Sequence, residues 1–163
     1  MIAQLRVDDR LIHGQVALVW TKELDTQGIV VANDNAAKDA MVQMTLKMAT
    51  PTGKKLLIRS VQDSIAVFNN PKAANMRIFA LTNCVEDALE IAKHVSNIEG
   101  INVANVGRFA NGQGKVTQLT STLMLNDEEM VALKQLSELD IPVFTQVVPS
   151  NARTSIASLL AEK

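Results

Sequence analysis

A chain of 163 residues with 47% apolar and 20% charged side chains has the make-up of a globular domain, far from the regime in which chains stay disordered. A net charge of -1 and a pI near 6.1 provide no field for the phosphates of nucleic acid, and 3% aromatic residues leave no platform for stacking single strands. One cysteine, Cys84, excludes an internal disulfide and a cysteine-based zinc site, and suits a reducing compartment.

Short apolar runs alternate with helix-period segments along the chain, which is the signature of β/α units forming a largely parallel sheet. Strands are predicted at 2–7, 28–32, 54–60, 77–81, 101–106, 120–125 and 143–148. The first of them opens the sequence with neither a basic n-region nor a long apolar stretch, so the expectation is a cytoplasmic protein without direct membrane insertion. Residues 15–24 place Val16, Val19, Trp20 and Leu24 on one helical face, and residues 37–48 do the same with Ala37, Ala40, Met41, Met44 and Met48. The methionine stripe is read as core in preference to a partner surface. Further stripes follow: Val61, Ile65 and Phe68; Val85, Ala88, Leu89, Ala92 and Val95; Met130 and Leu133; Ile156, Leu159 and Leu160. Asn126 or Asp127 is placed to cap the helix that carries Glu128 and Glu129, and Pro51, Pro71 and Pro149 fall at element ends. With no repeat and no linker-like stretch, the reading is a single α/β domain over 1–163, a mostly parallel open sheet of about seven strands with helices on both faces. Segment 107–115, G-R-F-A-N-G-Q-G-K, breaks the rhythm and reads as a long, mobile or ligand-facing loop. Its glycines imitate a phosphate-binding loop, but Gln113 stands where a lysine is needed and Val116 where a hydroxyl should follow Lys115, so an ATP site is not expected.

The first strand-to-helix junction concentrates the chemistry: Arg6, Asp8, Asp9, Arg10, Leu11, Ile12, His13, Gly14 and Gln15 lie where a parallel sheet opens at its carboxyl edge. A histidine there can act as a nucleophile, because neutral imidazole is well populated near pH 7 and attacks a phosphoryl group without further activation. Helix-start amides beside Gly14 and a guanidinium clamp from Arg10 would supply positive potential for the phosphoryl oxygens. Asp8 or Asp9 can orient either Arg10 or the non-reacting nitrogen of His13. The plain alternative is a solvated turn in which His13 merely caps the helix. Asn33 and Asp34 follow the second strand at the same edge and could line the site, although an N-cap is the favoured reading. His94, near the end of its helix beside Lys93, reads as structural, and Cys84 as an inert residue at a helix start. Neither histidine has ligand-spaced partners, so no metal and no cofactor are expected.

The run R-V-D-D-R-L-I-H-G-Q-V at 6–16 closely resembles the active-site signature of IIB components in the mannose, fructose and sorbose family of phosphoenolpyruvate-dependent phosphotransferase systems (PTS). Further similarity lies in V-A-N-D at 31–34, T-L-K-M-A-T-P at 45–51 and Q-V-V-P-S at 146–150, so the resemblance spans nearly the whole chain. It implies that His13 is phosphorylated, that Arg10 stabilises the phosphate, and that the loop 8–15 forms a backbone cradle. It implies a cytoplasmic phosphocarrier, associated peripherally with membrane subunits, that takes its phosphoryl group from a phosphohistidine on a IIA protein. The group then passes to a hexose or amino-hexose, such as mannose, fructose, sorbose or N-acetylgalactosamine, held by membrane partners IIC and IID. The chain departs from the family's glycine-glycine-methionine stretch at Gly107, Arg108 and Phe109; Arg108 could reach the phosphoryl group, though a solvent-facing arginine is the favoured reading. In-line transfer between two protein partners calls for a shallow, exposed site, with His13 at a convex or flat rim. The rival reading is a non-covalent anion- or nucleotide-binding regulatory domain that uses the same turn.

Overall fold

A computed structural model describes residues 1–107 and 115–162. In chain order the elements are β1 (Ile2–Asp8), α1 (Gly14–Glu23), β2 (Gly28–Ala32), α2 (Asp34–Lys38), α3 (Ala40–Ala49), β3 (Lys55–Arg59), α4 (Val61–Asn69), a 3-10 turn (Pro71–Ala73), β4 (Ile78–Thr82), α5 (Val85–His94), β5 (Ile101–Asn105), β6 (Val116–Thr120), β7 (Leu123–Asn126), α6 (Asp127–Ser137), β8 (Val143–Thr145), β9 (Thr154–Ser155) and α7 (Ile156–Ala161). The main sheet has seven strands in the order β3-β2-β4-β1-β5-β8-β9. Every pairing in it is parallel except the antiparallel β8–β9 pair.

Alternation along each strand divides the interior into two cores. In β2, Ile29 and Val31 join Ala17, Trp20, Leu46, Phe79 and Leu81 under α1 to α3, while Val30 and Ala32 point into the larger core under α4 to α7. Burial on both faces is why β2 and β4 read as nearly unbroken apolar runs rather than as alternating ones. In β1, Leu5 and Val7 belong to the larger core. The same period of two sends Gln4, Arg6 and Asp8 toward the α1 layer.

Helix starts follow the short polar residues that can bond a free amide. Asn33 caps α2, Asp39 caps α3, Ser60 caps α4, and Asn126 with Glu129 forms a reciprocal capping box on α6. No helix among the described residues is long and apolar enough to cross a membrane.

Four expectations need correction. The helix expected over 37–48 is two helices, because Asp39 takes an extended conformation (φ -114°, ψ 105°) and turns its carboxylate onto the amides of Met41 and Val42. The methionine stripe is not core: Met41, Met44 and Met48 are 78%, 64% and 82% exposed, and the buried face of α3 runs through Leu46, flanked by half-buried Val42 and Ala49. Both stripes satisfy a helical period, and the one whose branched side chains fill the sheet face is buried. Likewise Val19 is 40% exposed, since α1 seats itself on Ala17, Trp20 and Thr21. The strand expected over 120–125 is an antiparallel hairpin of β6 and β7 outside the main sheet, and the seventh strand of that sheet is β9.

Candidate phosphoryl-transfer site

Segment 9–13 leaves β1 at the carboxyl edge and turns sharply into α1. Leu11 adopts φ 60°, a conformation that costs a branched-chain residue energy, and Gly14 adopts φ 48°. Buried side chains of Leu11 and Ile12 offset that cost by plugging the turn into the smaller core, and Leu11 N–H closes it on the Asp8 carbonyl at 2.9 Å. His13 is the N-cap residue of α1, yet its side chain makes no capping bond. Its ring is therefore available for something else.

That something is Asp8. Asp8 Oδ2 lies 2.8 Å from His13 Nε2 and also accepts from Arg6 Nη2 at 3.0 Å, Arg6 Nε at 3.3 Å and Asn105 Nδ2 at 3.0 Å, while Oδ1 accepts the Arg10 amide at 3.0 Å. Strand alternation settles which aspartate serves: Arg6 and Asp8 share a face of β1, whereas Asp9 has left the strand and anchors the turn through its backbone amide, bonded to the Asn105 carbonyl at 3.0 Å. Burial alone would push the Asp8 carboxyl up, but the His13 hydrogen bond, the Arg6 guanidinium and the Arg10 amide together hold it down at about 2. An ionised carboxylate only accepts, so in the neutral imidazole the proton between the two side chains sits on Nε2 and Nδ1 keeps its lone pair.

Arg6, expected at the rim of the site from its place in the polar junction, is instead fully buried and paired with Asp8. Burial pulls its pKa down, and the Asp8 carboxylate acts in the opposite direction. Its third nitrogen, Nη1, donates to the Val147 carbonyl at 3.0 Å, and that carbonyl also takes the Trp20 indole N–H at 2.9 Å. The Trp20 ring centroid is 6.0 Å from the guanidinium carbon. The segment carrying Val147 is in turn stitched to the sheet by buried Asn102, whose amide nitrogen donates to the Gln146 carbonyl at 2.8 Å and whose oxygen accepts the Gln146 amide at 3.0 Å. A side-chain amide thus imitates one more rung of strand pairing beyond β8.

The His13 side chain is 14% exposed, recessed but reachable from solvent. Arg10, three residues earlier in the same turn, is exposed, and the first amides of α1 follow His13 directly. Asn33 and Asp34 are occupied elsewhere: Asn33 accepts the Ala36 amide at 2.8 Å, and Asp34 accepts the Val61 amide at 2.9 Å, tying the start of α2 to that of α4. Arg108 lies outside the described residues, as does the side chain of Gln15. His94 is exposed at the end of α5 and bonds the Glu90 carbonyl at 2.9 Å, a structural role. Burial pushes the Cys84 thiol up to about 12, which removes it as a nucleophile. Among the described residues no cluster of His, Cys, Asp or Glu is arranged to hold a metal ion. An apolar cleft of about 540 Å³ opens at the amino ends of β2, β3 and β4, the edge opposite His13.

Asn105, Trp20 and the Val147 carbonyl were not foreseen as parts of this network. Q-V-V-P-S was noticed as a motif, but its contribution is a main-chain oxygen, which no side-chain pattern announces.

The family description "PTS system sorbose subfamily IIB component" matches residues 2–163. The chain is 56% identical over 162 residues to a probable phosphotransferase enzyme IIB component of Streptococcus pyogenes serotype M6, spanning 98% of this chain and 99% of that one. It is 32% identical over 162 residues to the mannose-specific EIIAB component of Escherichia coli K12, spanning 99% of this chain but 49% of the relative. The crystal structure of the IIBSor domain of the sorbose permease from Klebsiella pneumoniae superposes with a TM-score of 0.90 at 29% identity, covering 100% of this chain and 98% of that one.

Proposed function

Because the chain belongs to the sorbose subfamily of phosphotransferase-system IIB components, and is thus a phosphotransferase acting as a phosphocarrier in sugar uptake, we propose that His13 is its phosphoryl carrier and that Nδ1 is the atom that carries. The observation behind this is the 2.8 Å contact of Nε2 with a buried, ionised Asp8, which fixes one tautomer and leaves the other nitrogen free to attack.

In the first step the Nδ1 lone pair attacks the phosphorus of a phosphohistidine on a IIA donor. The donor's P–N bond breaks, its electron pair returns to the donor ring, and the Nε2 proton stays on His13, bonded to Asp8. The ring gains positive character as the new bond forms, and the Asp8 carboxylate stabilises it. The three equatorial oxygens face Arg10 and the free amides at the start of α1. Buried Arg6 keeps Asp8 ionised and immobile throughout. In the second step a sugar hydroxyl oxygen attacks the phosphorus of phospho-His13, the N–P bond breaks with its electron pair returning to Nδ1, and the hydroxyl proton is released to solvent. The IIA donor is inferred from the mannose-specific EIIAB relative, half of whose length this chain spans. The sugar is a hexose or amino-hexose presented by membrane subunits IIC and IID, and the protein works in the cytoplasm, held to the membrane by those partners.

The test is to incubate the chain with phosphoenolpyruvate, the general phosphotransfer proteins and a matching IIA protein. Wild type should acquire an acid-labile, base-stable phosphate, and ring 15N–31P coupling should place it on Nδ1; His13→Gln should acquire none. Label persisting in His13→Gln would refute the assignment, and coupling through Nε2 would refute the role given to Asp8.

A further inference from the structure

A strand irregularity beside His13 points to one more residue of the site. The pairing of β1 with β5 runs Val7 with Val103 and then Asp8 with Asn105, so Ala104 is skipped. In a regular strand Asn105 would share the face of Ile101 and Val103, both in the larger core. The extra residue turns it over, and its Nδ2 reaches Asp8 Oδ2 at 3.0 Å on the opposite face. Neighbouring bonds hold this arrangement on both sides: the Asn105 carbonyl accepts the Asp9 amide, and next to it Val106 is clamped between the Thr122 carbonyl at 3.0 Å and the Met124 amide at 2.9 Å. Gly107 then turns away at φ 96°, where a Cβ would lie 2.2 Å from the Met124 carbonyl oxygen.

We propose that Asn105 is a positioning residue for phosphoryl transfer, and that it acts on His13 solely by holding the Asp8 carboxylate. The proposal rests on His13 being the carrier. An aspartate carboxylate rotates easily about its last torsion, and each rotation would swing Oδ2 away from Nε2. Arg6 restrains that oxygen from below, the Arg10 amide restrains Oδ1, and Asn105 restrains Oδ2 from the β5 side. A neutral amide suits this place: it donates without competing for the Nε2 proton and without adding a charge that would draw Asp8 off the ring. A bulge that re-aims a side chain next to a reacting group is a device strands commonly use at such sites.

The experiment compares wild type, Asn105→Leu and Asn105→Asp, each also in an Asp8→Asn background. Two readouts are taken: the rate of transfer from phosphorylated IIA protein and the 15N spectrum of the His13 ring. With Asp8 present, Asn105→Leu should slow transfer about tenfold, as losses of supporting hydrogen bonds do at metal-ligand histidines, and should mix the ring tautomers. Asn105→Asp, which sets a second carboxylate against the first, should do worse. In the Asp8→Asn background Asn105→Leu should add nothing, because the lever it works through is gone. Should Leu prevent folding, Asn105→Ala removes the amide without adding bulk and carries the same expectation. An unchanged rate and ring spectrum would overturn the proposal, and so would an equal slowing in both backgrounds. If wild type itself takes no phosphate on His13, the carrier reading falls, while the ring spectra still judge Asn105.

Discussion

Acid should unfold this protein partly through one carboxylate, and the size of that contribution follows from the site. Asp8 titrates at about 2 in the folded chain, against about 3.9 for an unfolded aspartate. The folded value is the lower one, so the stability Asp8 contributes is complete above about pH 4 and disappears as the pH falls through about 2. A gap of nearly two pH units corresponds to roughly 2–3 kcal/mol, and no allowance for solvent screening is needed because the side chain is fully buried. Asp87 and Glu129 work in the opposite sense: burial raises both, so each is relieved as the pH falls. The clean measurement is therefore a difference. Urea unfolding followed by circular dichroism, at pH 6, 4, 3 and 2, should show wild type losing about 2 kcal/mol more than Asp8→Asn between pH 4 and pH 2. At pH 7 the variant should already be less stable by about 3–5 kcal/mol, since the buried Arg6 charge is left without its partner. Parallel pH curves for the two proteins would show that Asp8 is not held ionised by its neighbours, and the argument for the Nε2–H tautomer would fail with it.

Gly107→Ala should destabilise the fold by more than about 2 kcal/mol in chemical unfolding, because the added Cβ meets the Met124 carbonyl and the backbone lies at φ 96°. Gly14→Ala, at φ 48° with nothing within 4 Å of the new Cβ, should cost only about 1 kcal/mol by the same measurement. Replacing Met41, Met44 and Met48 together by glutamine should change stability by less than about 1 kcal/mol, since all three stand in solvent, whereas Leu46→Ala on the buried face of the same helix should cost about 2–5 kcal/mol. His94→Gln should take phosphate on His13 as fast as wild type, because the His94 ring engages Glu90, one turn back in α5.

The sheet was legible because β2 and β4 are buried on both faces and stand out as short apolar runs, while β1 and β5 keep apolar residues at every second position, between helix-period segments. The split at Asp39 was not, since a capping aspartate inside a helical pattern looks the same as a surface one. Nor could periodicity choose between the stripe of Leu46 and that of the three methionines; three-dimensional fit decided it. His13 and its turn were visible from residue types alone, and the choice of Asp8 over Asp9 was already contained in the alternation of β1, two residues on from Arg6. Asn105 was hidden by the bulge at Ala104, which reverses the parity on which any strand reading depends. Asn102 and Gln146 are 44 residues apart and pair through one side-chain amide and a backbone, a contact that local patterns do not encode.

The chain has a single tryptophan, and its indole nitrogen shares the Val147 oxygen with the guanidinium that braces Asp8. A native fluorophore therefore stands at the far end of a short relay of contacts from the His13 imidazole. Charge arriving on that imidazole, or a donor protein settling over it, alters the field and polarisation the indole feels, so emission recorded in a stopped-flow mixer can time each handover without a dye, a tag or radioactive label.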